Sequence, residues 1–257
     1  MIDPNIRYTR AALSSIDTVQ LHLRKPWMCA FWSFAFPGLG HLARNRNLTG
    51  YFFIMWELIV NTQSHINLAI FETLIGHFND ATNVLNTRWL LLYVGTYIYC
   101  IWDSYQGAVN LNKLYMLAIH RPKALQPMKM NALEINYLDK KLPWIAPVWS
   151  AFMPGAGHFY LHKIPNGILF LVWWIVVAYK SNLLTAIQLA FTGHFSASAA
   201  ALDIQWYLFM PSIYSFSLYD SYLTAVEQNR LYELEQARFL KEHYQRISFS
   251  ISRLFVK

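Results

Sequence analysis

The stretch Pro37-Gly38-Leu39-Gly40-His41 returns 117 positions later as Pro154-Gly155-Ala156-Gly157-His158. Sliding the whole sequence by that distance aligns residues 26–115 with residues 143–232 without a gap, and about thirty of the ninety aligned pairs are identical. So many matches in one register indicate an internal duplication. The chain is therefore predicted to contain two tandem copies of one unit.

The composition indicates the solvent for which these units are built. Of 257 residues, 55% are hydrophobic and only 14% are charged, whereas about a quarter of the residues of a soluble domain are charged. The charges cluster at the two ends and in one central stretch, as they do in loops that flank membrane spans. We therefore predict an all-α fold, a polytopic integral membrane helical bundle.

Each copy holds four apolar segments, which lie at about 26–43, 48–62, 64–85 and 88–103 in the first copy. Several are shorter than the roughly 20 residues that cross a bilayer comfortably, so either four or eight spans remain open. The lead-in, the linker and the tail are all basic and should be cytoplasmic, which requires an even number of crossings in each copy. The two copies are thus expected to be parallel repeats.

These observations divide the chain into five parts and place it in the cell membrane as a multi-pass protein with both termini cytoplasmic. The basic linker carries Lys129, Lys140 and Lys141, and the tail has amphipathic helical patterning suited to lipid headgroups or to a protein partner. The predicted parts are a cytoplasmic lead-in at 1–25, membrane repeat 1 at 26–115, the linker at 116–142, membrane repeat 2 at 143–232 and a basic amphipathic tail at 233–257.

Two motifs of the second copy resemble a known family. The stretch from Pro154 to Lys163, followed by Gly167, resembles the small two-transmembrane-helix domain family, whose motif is a Pro-Gly-x-Gly turn, an aromatic segment and a glycine that opens the next helix. The ending Asp220-Ser221-Tyr222-x-x-Ala225 is similar to the Asp-x-Tyr ending of bacterial members. The resemblance implies a membrane location and helical hairpins, and it implies no particular biochemical activity.

The Pro-Gly-x-Gly motifs are predicted to break their apolar segments. Proline and glycine end helices, and glycine lets two backbones approach closely. The favoured interpretation is a tight corner between helices in which His41 and His158 cap free carbonyls, and the alternative is a break that binds an ion or a headgroup. The predicted turn residues are Pro37, Gly38, Gly40, Pro154, Gly155 and Gly157.

Two further pairs of polar residues are candidates for binding. His77 and His194 follow a glycine in the third segment, where they are expected either to form an interhelical hydrogen bond beside that glycine or to relay protons. Asp103 and Asp220 close the fourth segment and are expected either to be solvated or to pair with a nearby Arg or Lys. The full set of candidate binding residues is His41, His77, Asp103, His158, His194 and Asp220.

The sequence contains no G-x-S-x-G, phosphate-binding loop, H-E-x-x-H or zinc-finger spacing, so no enzyme activity, metal or cofactor is predicted. Basic residues beside apolar spans argue against nucleic acid as a partner and favour membrane lipids. The first hypothesis is a non-enzymatic structural, assembly or interaction component of the membrane. The alternatives are a small-solute or ion transport component, with its site between the repeats, and a lipid-modifying enzyme.

Overall fold

The computed structural model describes residues 9–120 and 125–244, and these residues are mostly helical. The helical fold predicted from the composition is confirmed to that extent. The parts of the lead-in, linker and tail at 1–8, 121–124 and 245–257 lie outside the described residues. The elements of the first half are β1 (Ala11–Leu13), β2 (Thr18–Gln20), α1 (Pro26–Ala35), α2 (Leu39–Leu42), α3 (Asn47–Ser64), α4 (Ile66–Leu74), α5 (Phe78–Val84) and α6 (Thr87–His120).

The second half repeats these elements in the same order, except that its last helix is divided in two. They are β3 (Met128–Met130), β4 (Ile135–Tyr137), α7 (Ile145–Phe152), α8 (Ala156–Tyr160), α9 (Ile164–Lys180), α10 (Leu183–Phe191), α11 (Phe195–Ala201), α12 (Ile204–Tyr207) and α13 (Met210–His243). Both strand pairs are antiparallel hairpins, with Leu13 opposite Thr18 in one and Met130 opposite Ile135 in the other. The structural repeat therefore begins earlier than the aligned segments, and the predicted lead-in and linker each contain a hairpin.

The duplication is visible in the backbone at its least common conformations. Among the described residues, every residue with positive φ has a partner 117 positions away that also has positive φ. The register holds even where the side chains differ, because Asn45 pairs with His162 and His65 pairs with Asn182. The two halves thus share their turns as well as their helices. The glycine pairs are Gly38 with Gly155 and Gly76 with Gly193.

The core lies between the two halves and is aromatic. Trp32 and Phe36 of the first half pack against Phe216 and Trp173 of the second, with ring centroids 5.0 and 4.6 Å apart. Within each half, the first helix and the third helix pack on the long last one, as α1 and α3 do on α6. Contacts between these large rings contribute to the association of the halves.

The apolar segments form shorter helices than a simple bundle would have. Within the described residues no single helix combines the length and hydropathy of a bilayer crossing, although α9 and α10 do so together across a bend of 64°. The first segment becomes two helices, α1 and α2, and the third becomes α4 and α5. The first part of the tail continues α13 to His243, so it is not a separate helix.

Candidate functional site

The structure brings the first and last apolar segments of each half together at one buried polar cluster. In the first half, Asp103 accepts hydrogen bonds from His41 Nε2 at 3.0 Å and from Arg44 Nη2 at 2.7 Å. The Arg46 guanidinium lies 3.6 Å from the same oxygen. His41 and His158 are both predicted to cap carbonyls, and that prediction is wrong because each ring pairs with an aspartate carboxylate instead. The expected pairing of Asp103 with nearby arginine does form.

The second half repeats this cluster with a different cation. Asp220 accepts a hydrogen bond from His158 Nε2 at 3.2 Å, and Lys163 Nζ lies 4.0 Å away at the position that corresponds to Arg46. Leu161 replaces Arg44, so this cluster has one fewer cation. The side chains of His158, Asp220 and Lys163 are each at most 2% exposed, whereas that of Asp103 is 19% exposed.

The predicted turn residues hold the clusters in place. After Pro37 and Pro154 the backbone turns at Gly38 and Gly155, both with φ +99°, and leads into the short helix that carries the histidine. Gly40 faces α1 so closely that a Cβ atom would lie 2.1 Å from the carbonyl oxygen of Cys29. Gly157 has the same relation to the carbonyl oxygen of Ala146, at 2.2 Å. The motif therefore forms a close helix crossing.

At each close helix crossing, two serine hydroxyls form a hydrogen bond between the packed helices. Ser33 and Ser104 hydroxyls lie 2.6 Å apart in the first half, and Ser150 donates to Ser221 at 3.2 Å in the second. Ser104 Oγ is also 3.4 Å from His41 Nδ1, so serine, histidine and aspartate stand in the order found in hydrolases. Ser104 is fully buried beneath Gly40, which leaves a substrate no approach to its hydroxyl. The arrangement is suited to holding helices together.

The structure separates the other histidine pair from these clusters. His77, between α4 and α5, lies 3.1 Å from Glu72 of α4, and His194 lies 3.1 Å from Thr192. Gly76 and Gly193 face open space, so the hydrogen bond predicted across a packed glycine does not form. Among the described residues, Glu72, His77 and Asp80 have ligand atoms within 4.8 Å of one another and could hold a cation.

The clusters also connect the two halves through residues that sequence reasoning missed. Lys163 donates to Asn45 Oδ1 at 3.1 Å, and the Tyr51 hydroxyl donates to Asn166. The first hairpin covers this junction, since Ile164 N donates to the carbonyl of Ile16 at 3.0 Å. The residues Asn45, Lys163 and Asn166 lie within a few positions of the Pro-Gly-x-Gly-His motifs, and that proximity was the available signal.

Burial of His22, just after the first hairpin, makes stability depend on pH. Burial, followed by the nearby charges of Arg24 and Lys163, lowers the pKa of His22 to about 2. The ring stays neutral in the fold but gains a proton near pH 6.5 when the chain unfolds, so stability falls as the pH drops below 6.5. Between pH 8 and pH 5 the free energy of unfolding, measured by chemical denaturation, should fall. We expect His22→Gln to make this fall smaller by about 2 kcal/mol. An unchanged pH profile in this variant would contradict the buried neutral ring.

Comparison of the chain with protein-family models, with curated protein sequences and with solved structures finds no match. The resemblance to the two-helix membrane family therefore stays a prediction from the two motifs.

Proposed function

We propose that the chain is a multi-pass protein of the cell membrane and acts there as a non-enzymatic structural, assembly or interaction component. The observation that carries the proposal is the reversal of polarity between the surface and the interior. On α3 the carboxyl of Glu57 is buried, whereas Phe52, Met55 and Ile59 are each more than half exposed. Water would impose the opposite arrangement, and lipid favours this one.

The same reversal extends over both halves. The buried set includes charged and polar side chains, while the exposed set is rich in large apolar ones. A buried polar face lowers the mean hydropathy of a helix without exposing that face to lipid, which accounts for the short apolar windows of α3 and α6. The exposed apolar side chains on the packed helices include Phe31, Phe34, Leu91, Ile98, Trp102, Val148, Trp149, Phe152, Ile168, Val172 and Ile175.

The sequence left either four or eight crossings open, and the lengths of the helices favour four. The α1–α2 and α7–α8 pairs are broken at the Pro-Gly-x-Gly turns and fit segments that enter and leave on one side. The α4–α5 and α10–α11 pairs are too short to cross and carry exposed Phe78, Phe191 and Phe195, which suit the opposite membrane interface. The crossing helices would then be α3, α6, α9 and α13.

Single cysteines on one short helix in each half test this arrangement. We expect Asn79→Cys and Ser196→Cys, which are exposed at matching positions of α5 and α11, to react in intact cells with a maleimide that cannot cross the membrane. Lys140→Cys, which is exposed beside the second hairpin, should react only after the cells are opened. Labelling of Asn79→Cys and Ser196→Cys from opposite sides would exclude parallel repeats. Release of the protein from membranes without detergent would exclude the membrane location.

A groove beside the end of α13 supports an interaction role. Its volume is about 560 Å³, and it lies between the second hairpin and α13, with Leu138, Phe239 and Leu240 among its lining residues. Phe239 and Leu240 are each about half exposed. If a protein partner binds here, Phe239→Ala with Leu240→Ala should reduce the size of the complex that the chain forms in native gels of membrane extracts, without changing its stability.

Ion transport is the second candidate because ionisable groups are buried between the halves. Asp220 and Lys163 have the burial and the pairing typical of ion pathways in membrane proteins. Flux of protons or alkali cations into vesicles containing the purified protein, lost on replacing Asp103 and Asp220, would support this role over the first. If the wild-type protein gives no flux in vesicles, and the Asp103 and Asp220 variants replace it fully in cells, the structural role is supported.

A further inference from the structure

One buried carboxyl takes no part in the two polar clusters. Glu57 lies in the middle of α3 and is 2% exposed. Its Oε1 accepts hydrogen bonds from Asn61 Nδ2 at 3.0 Å and from the Tyr93 hydroxyl at 3.2 Å. Its Oε2 is buried without a hydrogen-bond partner. Among the described residues, no Lys, Arg or His nitrogen lies within ion-pair distance of either oxygen.

These surroundings suit the acid form of the side chain better than the carboxylate. An ionised carboxylate needs a cation or donors to both oxygens when it is removed from water, and here both donors serve one oxygen. The titratable groups that face it, Tyr93, Tyr97 and Cys100 on α6, are neutral in their protonated forms and supply no positive charge. A neutral acid leaves one O–H group without an acceptor, which costs much less than an unpaired charge.

The fold of the repeat does not require this polar group. The second copy has Trp174, Ala178 and Leu184 at the positions of Glu57, Asn61 and Asn67, and its α9 and α10 form in the same way. The helices therefore form without these polar residues. Their presence in only one copy indicates a role other than helix formation.

From the carboxyl, a chain of amide groups leads to the second half. Asn61 also donates to Asn67 Oδ1 at 3.1 Å and accepts from Gln205 Nε2 at 2.9 Å, while Asn67 donates to the Gln205 carbonyl at 2.9 Å. Gln205 belongs to α12, so these bonds join α3 and α4 to the other half. A change of charge on Glu57 would act directly on the Asn61 side chain and, through it, on this junction.

We propose that Glu57 is a proton-binding site, which holds a proton at neutral pH and couples its release to the amide junction between the halves. The site goes beyond the structural role proposed above and would equally serve the transport alternative. Its existence depends on the immediate surroundings of Glu57, namely its burial and its unpaired Oε2, so it can hold or fail independently of the membrane topology.

Infrared spectroscopy of the purified protein tests the proton directly. At neutral pH the wild type should have a carboxylic acid C=O band that shifts in ²H₂O and disappears in Glu57→Gln. The matched control is Glu72→Gln, which removes a partly exposed carboxyl from the same half and should leave the band in place. Tyr93→Phe should move the band without abolishing it, because one hydrogen bond to Oε1 is lost.

Either of two infrared results would overturn the proposal. Loss of a carboxylate band in Glu57→Gln, with the acid band absent from the wild type, would mean that Glu57 is ionised. An acid band that appears only after sodium and potassium are removed would mean that the site holds a monovalent cation. If Glu57→Gln does not fold, the wild type still decides: dicyclohexylcarbodiimide, which modifies buried protonated carboxyls, should add to the peptide containing Glu57, and no such adduct would refute the proposal.

Discussion

Replacing Asp220 with Asn should lower the free energy of unfolding by about 3–5 kcal/mol, measured by denaturant titration in detergent micelles. The carboxylate is 1% exposed, and it faces Lys163 at 4.0 Å and His158 at 3.2 Å. Asn keeps the shape of the side chain but leaves Lys163, which is also buried, without a negative partner. The cost arises mainly from that uncompensated cation, since water cannot reach it.

Two further variants make the prediction specific to the buried charge. Asp220→Asn combined with Lys163→Met should recover most of the loss, because removing both charges of a buried pair is much less costly than removing one. Glu233→Gln removes a carboxylate from an exposed ion pair with Lys140 and should change stability by less than about 0.5 kcal/mol. A loss in the double variant as large as that in Asp220→Asn would mean that Lys163 is not the group that Asp220 stabilises.

Much of the fold followed from the spacing of 117 residues. The duplication is read from identities in one register, and the breaks at Pro37 and Pro154 could be predicted because a Pro-Gly turn acts locally on the backbone. The helical content was predicted from the composition. The hairpins at 11–20 and 128–137 could not be predicted, since each has strands of only three residues and the two stretches share no identical residue in that register. That the two hairpins correspond at a distance of 117 residues is visible only in the structure.

The sequence indicated individual residues of the site but not which of them contact one another. His41 and Asp103 stood out as polar groups in apolar segments, yet they are 62 positions apart, and only the packing of α2 on α6 brings them together. Arg44 reaches Asp103 because Gly107 leaves room for its guanidinium; the second copy has Leu161 and Thr224 at these positions. Glu57 went unnoticed inside an apolar run, although a single carboxyl there was itself the signal.

The Pro-Gly-x-Gly motif gives the second large effect. Gly157→Ala should lower the free energy of unfolding by about 3 kcal/mol, because the new Cβ would lie 2.2 Å from the Ala146 carbonyl oxygen and 2.3 Å from Ser150 Oγ. The nearest atom belongs to the backbone, so α7 and α8 would have to move apart. Gly40→Ala meets the Cys29 carbonyl at 2.1 Å and should lose a similar amount.

Gly95→Ala is the matched control, since it lies within α6 and its added Cβ would have nothing within 4 Å. This substitution should raise the free energy of unfolding by about 0.5–1 kcal/mol, because alanine favours helix more than glycine does. The comparison separates the two interpretations of the motif. A tight corner requires glycine for closeness and loses stability in both copies, whereas a break that binds an ion would tolerate the methyl group and lose only the ion. Equal stability of Gly157→Ala and the wild type would therefore exclude the corner.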